Sequence, residues 1–291
     1  MRKRIESRLR RLAQWGLDDV AFRGLSPNTI LGKLHEALPL RHGVEVLSAK
    51  QTFPPPRVGS DGLPLPPAEL TVGYLQDPVD YVRRGGVWAA ELKRLAAEHG
   101  AAVDAEAGVL DWGSSSGRVL RHFAAEAQRG AKCWGVDIDA RAIAWARAHL
   151  GESLRFVTGT SFPHLPFPDA SFSLIYGLSV MTHLEHLEDT WLLELRRVLR
   201  PGGVVVLTIM DSHTLEAYAA DRPGWFPEQL EPQDVLAERD HAIIFGAHQG
   251  STFTFHRRDY VERVWGHYFR VLDQRPAWVE GSLQTAVVLG G

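Results

Sequence analysis

Two carboxylates on either side of a turn of small side chains are the residues of this chain best suited to hold a ligand. Asp111 closes an apolar run and precedes a turn with small residues at every second position, Gly113, Ser115 and Gly117. Helical periodicity follows, and a second apolar run ends in Asp137. A strand, a tight turn, a helix and a second strand with an acidic end place that carboxylate beside the turn, where it can accept from ribose hydroxyls. The pattern predicts a site for an adenosine-bearing cofactor.

The spacing of the small residues separates two classes of cofactor. A dinucleotide fingerprint has small residues at the first, third and sixth positions of the turn, and the sixth position here is Arg118. Counting by twos gives acidic-x-Gly-x-Ser-x-Gly, which resembles the first motif of the Rossmann-like S-adenosylmethionine-dependent methyltransferases, acidic-x-Gly-x-Gly-x-Gly. Ser115 stands where that family has its middle glycine. If Ser115 adopts a positive φ, we expect a higher conformational cost than for glycine.

The resemblance implies how each part of S-adenosylmethionine is held. Asp111 would accept from the ammonium group, and the backbone of the turn, Ser114 included, would meet the carboxylate. Asp137 would accept both ribose hydroxyls, and Ile138 would cover one face of the adenine. Asp139 is predicted as the N-cap of the next helix instead, because the helix begins directly after it.

Adenine recognition after the third strand departs from the family pattern. The family has an acidic residue there that accepts from the adenine amino group, whereas this chain has Gly159, Thr160, Ser161 and Phe162. The role would pass to Thr160 or to the backbone of this stretch. Phe162 could contact the adenine ring or fill the core.

The elements alternate along the chain as in an α/β sheet. We predict strands at 108–112, 131–137, 154–158, 172–178 and 203–210, and helices at 87–99, 117–129, 140–149, 184–199 and 257–265. Strands separated by helices indicate a parallel sheet with helices on both faces. The stretches 168–172 and 197–203 also resemble recurring phrases of the family, so the resemblance covers 71–291. It implies a Rossmann-like, seven-stranded, mostly parallel sheet that ends in an antiparallel edge hairpin at 269–272 and 285–289.

Two segments add to this domain of residues 71–291. Residues 1–70 contain a basic amphipathic helix within the first fifteen residues and a proline-rich stretch at 53–67. The helix is expected to pack on its own protein, with an anionic lipid or acidic partner as the alternative. The proline-rich stretch is predicted to lack regular elements and to be a linker or an extended segment on the surface. Residues 211–256 are predicted to be a lid or acceptor pocket, or else a structural insertion or an oligomer contact such as a homodimer interface.

Histidines that follow the fourth and fifth strands are the candidate general bases. Methyl transfer from a sulfonium is an in-line displacement, and a base is needed only when the acceptor arrives protonated, as a hydroxyl does. His183 and His213 lie at the carboxyl ends of strands, where ligands meet in α/β sheets; a capping or solvated histidine is the alternative for each. His183 and His186, with Glu185 and Glu188 nearby, provide at most two ligands from one helical turn, so no metal site is predicted.

Composition restricts the classes of partner. The chain has 291 residues, 45% of them hydrophobic, and a net charge of −3, so no general basic field calls for nucleic acid. Cys133 is the only cysteine, which excludes an internal disulfide. No apolar run reaches the length of a membrane span, and the basic start lacks the apolar core of a signal peptide, so a cytoplasmic location is expected.

The sequence therefore predicts a methyltransferase of the bacterial small-molecule or sugar type that acts on a small molecule, sugar or biosynthetic intermediate, at oxygen. Methyltransferases that act on the amino groups of nucleic-acid bases have an Asn/Asp-Pro-Pro-aromatic motif after the fourth strand, and this chain has Tyr176, Gly177, Leu178 and Ser179 there. Three alternatives remain open. They are a non-methylating reaction with the same cofactor, such as a cyclisation, a non-catalytic subunit that binds the cofactor, and an NAD(P)-dependent oxidoreductase.

Overall fold

The structure, a computed structural model, describes residues 52–71, 77–101, 103–184, 186–221, 231–244 and 252–291. The basic helix expected near the start of the chain lies outside these residues. The same holds for 222–230 and 245–251 of the expected lid.

Strands and helices alternate through the described residues. The strands are β1 (Arg57–Val58), β2 (Pro64–Leu65), β3 (Gly108–Trp112), β4 (Lys132–Asp137), β5 (Arg155–Thr158), β6 (Phe172–Gly177), β7 (Leu199–Ile209), β8 (His241–Ile244), β9 (Phe253–His256), β10 (Arg270–Arg275) and β11 (Thr285–Gly290). The α-helices of the described residues are α1 (Pro78–Glu98), α2 (Ala124–Gln128), α3 (Ala140–Leu150), α4 (Glu188–Val198), α5 (Ser212–Asp221) and α6 (Arg258–Val264).

A seven-stranded sheet in the order β10-β11-β7-β6-β3-β4-β5 organises the molecule. Strands β3 to β7 are parallel, and β11 is antiparallel to both of its neighbours. The predicted fold class and the antiparallel hairpin at the edge are confirmed. The chain runs from β3 outward to β4 and β5 and then returns to the other side of β3 as β6. This reversal places a crevice at the carboxyl ends of β3 and β6, where open α/β sheets bind ligands.

The central strands of the sheet are buried on both faces. Successive side chains of a strand point to opposite sides, and each side lies in a core of its own. Val109 and Val206 lie in the core that includes residues of α1 and α3. Leu110 and Val205 lie in the core that includes residues of α4 and α6. Helices on both faces thus exclude water from the central strands and fix the ends from which the loops leave.

The start of α1 differs from the sequence prediction, which placed it at 87. The helix begins at Pro78, with Asp77 as its N-cap: the Asp77 carboxylate accepts from the amides of Val79 and Asp80 at 2.7 and 3.2 Å. Two arginines and two glycines at 83–86 interrupt the apolar pattern and hide the first turns. A Cβ at Gly85 would lie 2.2 Å from the backbone oxygen of Arg118, so glycine permits this close packing.

Two further helices are shorter than predicted. The predicted helix 117–129 consists of turns, a 3₁₀ segment at Leu120–Phe123 and the short α2. The predicted helix 184–199 begins as α4 at Glu188, after a separate 3₁₀ turn at Met181–His183. Leu187 interrupts the two because it adopts a left-handed φ of 64°.

The proline-rich stretch packs onto the main body, as one of its two predicted interpretations had it. The prediction that it lacks regular elements was wrong, because β1 and β2 form a short antiparallel ladder that pairs Arg57 with Leu65. Leu70, just beyond the stretch, is buried in the core shared with α1. Within the described residues, no helix combines the length and the apolar character that a membrane span requires.

Candidate cofactor site

The turn after β3 has the left-handed backbone that its small residues predict. Gly113, Ser115 and Gly117 have φ values of 84°, 47° and 82°. A Cβ at Gly113 would lie 2.4 Å from Cγ2 of Val180, which follows β6, so no side chain fits there. Ser115 adopts the positive φ that the sequence analysis considered, at a cost of about 1–2 kcal/mol for a residue with a Cβ. The turn is therefore strained and carries only small side chains at the switch point of the sheet.

The backbone amides of this turn are largely used within the protein. The amides of Gly113 and Ser114 donate to the backbone oxygen of Val136 at 2.8 and 3.0 Å, and the amide of Gly117 donates to Ser114 at 2.8 Å. The amide of Ser115 donates to Oδ2 of Asp137 at 2.7 Å. These bonds hold the turn against the end of β4. The sequence predicts that these amides face a ligand carboxylate. Most of them instead bond to the protein, because the strained turn must be anchored.

Asp137 lies at the end of β4, half-buried, with its carboxylate held from two sides. Oδ2 accepts from the amide of Ser115, and Oδ1 accepts from the amide of Asp139 at 2.8 Å. Since each carboxylate oxygen can accept two hydrogen bonds, this fixed orientation is compatible with binding a pair of ribose hydroxyls. Ile138 follows and is half-buried. The prediction for Asp139 is confirmed: its side chain caps α3 by accepting from the amides of Arg141 and Ala142 at 2.9 and 3.1 Å.

Asp111 is buried, with 4% of its surface exposed. Burial raises the pKa of its carboxyl to about 7, against the opposing influence of Tyr176 and of the positive charge on Arg118, while the charge of Asp137 raises the pKa further. The Asp111 carboxyl is thus an interior group close to the point of titration at neutral pH. Its predicted contact with an ammonium group stays a prediction.

The stretch after β5 lies next to Asp137. The amide of Gly159 donates to the backbone oxygen of Asp137 at 2.8 Å. Thr160 is buried, and its Oγ1 accepts from the amide of Phe162 at 3.3 Å. Ser161 is exposed and Phe162 is half-buried, and Phe162 belongs to neither core of the main sheet. The fold therefore brings the turn, Asp137 and this stretch together, as the sequence predicted.

A group of contacts behind the turn was missed by the sequence analysis. Oγ of Ser116 donates to the backbone oxygen of Leu70 at 2.7 Å and lies 3.0 Å from the hydroxyl of Tyr81. The guanidinium of Arg121, fully buried, donates to the carboxylate of Asp61, with Nε and Oδ2 2.5 Å apart. These contacts attach the turn to the segment before α1. The sequence carried no signal for them, because both pairs are brought together only by the tertiary fold.

His183 is the exposed residue of a 3₁₀ turn that follows Val180, whose side chain lies against Gly113. Its Nδ1 is 2.9 Å from the backbone oxygen of Thr252, so Nδ1 donates there and Nε2 is the basic nitrogen of the neutral ring. His213 is half-buried in the first turn of α5, where its backbone amide donates to Asp211 at 3.1 Å. Both histidines lie beyond the ends of strands as predicted, and their role as bases stays a prediction.

The segment after β7 surrounds a cavity of about 480 Å³. Its lining comes from α5, from residues 232–237 and from residues 257–259, and none of the predicted cofactor residues reaches it. This cavity is therefore a candidate for the acceptor pocket expected in this segment. No residue of the turn at 113–117 is among its lining residues.

Comparison with known proteins agrees with this geometry. Residues 110–207, which include the last three residues of β3, the turn, Asp137 and most of β7, match the model of a methyltransferase domain. The matched region is about a third of the 291 residues.

Curated relatives are similar to part of this chain. The ubiquinone/menaquinone biosynthesis C-methyltransferase UbiE of Cupriavidus pinatubonensis is 34% identical over 104 residues, which are 34% of this chain and 41% of that protein. The 24-methylenesterol C-methyltransferase 2 of Oryza sativa is 34% identical over 120 residues, 40% of this chain and 31% of that protein. The chain spans less than half the length of these relatives.

Solved structures share the fold over a longer stretch. A protein of Pyrococcus horikoshii superposes with a TM-score of 0.51 at 22% identity over 73% of this chain and 91% of that one. An S-adenosylmethionine-dependent methyltransferase of Clostridium acetobutylicum superposes with a TM-score of 0.50 at 14% identity over 70% of this chain and 91% of that one. The Rossmann-like fold is therefore shared. The match of residues 110–207 to a methyltransferase domain implies S-adenosylmethionine as the cofactor.

The residues present fit this cofactor. At Gly113 the close approach of Val180 leaves no room for a side chain, so the turn stays close against the end of β6. Beside it, the Asp137 carboxylate is fixed in the position from which a ribose diol is bound in this fold. Asp137, Ile138 and the turn would hold the nucleoside end, and the stretch Thr160 to Phe162 would lie near its base.

Proposed function

We propose that this chain transfers a methyl group from S-adenosylmethionine to the oxygen of a small-molecule acceptor, such as a sugar or a biosynthetic intermediate. The observation that supports the proposal is the Asp137 carboxylate, bonded at 2.7 Å to the amide of Ser115 beside a turn with three positive φ values. A carboxylate held in this position can accept hydrogen bonds from both hydroxyls of a ribose.

The protein's contribution to such a reaction is positioning. When bound, S-adenosylmethionine supplies an electrophilic methyl group on a sulfonium. Asp137 and the turn would fix the nucleoside, so that the displacement depends on how the acceptor is aligned. His183 is suited to receive a proton from an acceptor hydroxyl at Nε2, because Thr252 holds its Nδ1 as the donor. His213 is the second candidate for that role.

A carbon acceptor is the second candidate function. It is favoured by the names of the relatives, since UbiE and the plant sterol enzyme are both C-methyltransferases. A carbon nucleophile that loses its proton also needs a base, so the same histidines serve either case. The chemical position of the transferred methyl group therefore separates the two candidates.

The proposal is tested by binding and by product analysis. We expect S-adenosylhomocysteine to bind the wild-type chain, and Asp137→Asn to weaken binding about 10- to 100-fold, because a hydrogen bond to a charged group contributes about 1.5–3 kcal/mol. Asp139→Asn is the matched control, since asparagine caps a helix as well as aspartate does. Calorimetric titration measures both, and equal affinities of the two variants would contradict the assignment of the ribose contact.

Labelled S-adenosylmethionine then locates the reaction. Incubation with panels of hydroxyl-bearing and carbon-nucleophile acceptors should give S-adenosylhomocysteine and a labelled product, and NMR of that product identifies the methylated atom. Binding without release of S-adenosylhomocysteine across the panels would favour a non-catalytic subunit. Consumption of the cofactor without methylation would favour a cyclisation, and binding of a nicotinamide dinucleotide alone would favour an oxidoreductase.

A further inference from the structure

Three potential metal ligands from distant parts of the chain meet at the start of α4. Glu188 is the first residue of α4, and His241 and His256 are paired across β8 and β9. The two imidazole rings stack with centroids 4.5 Å apart and planes inclined by 12°. One ligand atom from each residue lies within 4.8 Å of the others. The set offers two imidazole nitrogens and one carboxylate oxygen.

The carboxylate of Glu188 is oriented by two donors. Its Oε1 accepts from the hydroxyl of Tyr260 at 2.8 Å and from Nε1 of Trp265 at 3.0 Å. Its Oε2 lies 2.5 Å from Nε2 of His256. One oxygen is thus fixed by outer groups while the other faces the histidines, which is the arrangement by which outer-shell partners orient a metal-ligating carboxylate.

His241 has a buried nitrogen without a partner: within the described residues, its Nε2 makes no hydrogen bond. His256 is fully buried, and its Nε2 is the nitrogen that faces Glu188. A buried polar atom without a partner costs about 1–3 kcal/mol. A hydrogen-bonded ion pair between Glu188 and His256 does not explain why a second imidazole is stacked against it.

We propose that Glu188, His241 and His256 form a binding site for a divalent transition-metal ion such as Zn²⁺. Two imidazoles and a carboxylate are a common set for such ions, with water in the fourth position. Ligand atoms about 2.0–2.1 Å from a tetrahedral ion lie roughly 3.3 Å from one another. The ion replaces the proton between Glu188 and His256, so this pair opens by a little under 1 Å from its 2.5 Å separation while the ring of His241 moves closer.

Such an ion would fasten the β8–β9 hairpin to the start of α4. The hairpin already touches the region of the candidate base, since the backbone oxygen of Thr252 accepts from His183 and Oγ1 of Thr254 donates to the backbone oxygen of Leu184 at 3.3 Å. The site is separate from the proposed cofactor contacts, so its presence does not depend on the proposed function. We assign the ion a structural role at this position, because its ligands come from both the hairpin and the start of α4 and would reinforce the hydrogen bonds that already join them.

The test uses the full chain, purified without a histidine tag and stripped with a chelator. Titration with Zn²⁺ in competition with a chromophoric chelator should show one tight site in the wild type. Glu188→Gln and His241→Gln should each weaken it by more than the roughly 10- to 100-fold typical of losing an outer-shell partner. His267→Gln removes an exposed histidine outside the cluster and should leave the affinity unchanged. Co²⁺ should give visible absorption bands of a tetrahedral site in the wild type and in His267→Gln only.

Folding of each variant is checked by circular dichroism and by its affinity for S-adenosylhomocysteine, which a loss of the metal site alone leaves intact. His256→Gln is avoided as the main variant because this side chain is fully buried. If folded His241→Gln binds Zn²⁺ as tightly as the wild type does, or if the wild type gives no Co²⁺ bands, the cluster is a hydrogen-bonded network without a metal and the proposal is overturned.

Discussion

Asp111 is the residue whose ionisation near neutral pH the fold changes most clearly. Burial raises its pKa from 3.8 to about 7, so the folded chain holds this proton more tightly than the unfolded chain. The resulting contribution to the free energy of unfolding is fully present below about pH 4 and is lost as pH rises through about 7. We expect the stability of the wild type to fall between pH 5 and pH 8 by a few kcal/mol relative to Asp111→Asn. Urea unfolding across this range measures the difference.

A matched control removes a carboxylate from the surface. Asp104 is exposed, and Asp104→Asn should keep the pH dependence of the wild type. If Asp111→Asn also keeps it, the buried carboxyl is not the group that titrates.

The ionisation of Asp111 also has a consequence for binding. If Asp111 must be ionised to meet an ammonium group, affinity for the cofactor should rise as pH increases through about 7.

A buried ion pair is one of the contacts that hold the segment between β1 and α1 to the domain. Arg121 is fully buried, and Asp61, 16% exposed, is its acidic partner. Removing one member of a buried pair leaves a charge without compensation, which costs about 3–5 kcal/mol. We expect Asp61→Ala to lower the free energy of unfolding by this amount. Asp80→Ala is the control: the Arg83–Asp80 pair is about half exposed, and such pairs contribute about 0–1 kcal/mol. Denaturant unfolding of both variants compares them, and equal losses would contradict the argument.

The elements that sequence reasoning found are those whose signals are local. The turn after β3, the carboxylate of Asp137 and the N-cap of α3 depend on residues close together in the chain, and the structure places them as the spacing requires. The bounds of α1 were missed because the polar and glycine residues at 83–86 break the apolar periodicity, although Gly85 is required by the close approach of Arg118.

Contacts between distant segments left no such signal. Arg121 and Asp61 are 60 residues apart, and nothing in the local pattern separates a buried arginine from a solvated one. Glu188 and His256 are 68 residues apart, and they meet only because β9 returns to the start of α4. The sequence pattern offers potential metal ligands on one helical turn, around His183 and His186, whereas the ligands that we propose come from three elements. Which segments become neighbours in the fold cannot be read from residues this far apart in the sequence.

At the scale of the whole molecule, the cofactor site joins the central strands to the segment before α1. The turn is bonded to β4 through Val136 and Asp137, and Ser116 links it to Leu70. A ligand that binds only this folded arrangement stabilises the entire chain by mass action, by about 2.7 kcal/mol at a hundredfold excess over its Kd. We expect S-adenosylhomocysteine to raise the Tm of the wild type by several degrees and that of Asp137→Asn by much less at the same concentration. A nicotinamide dinucleotide should leave both unchanged, because Arg118 follows the turn where a pyrophosphate would need a small residue. Differential scanning calorimetry measures all four cases, and a larger shift with the dinucleotide would reverse the assignment of the cofactor.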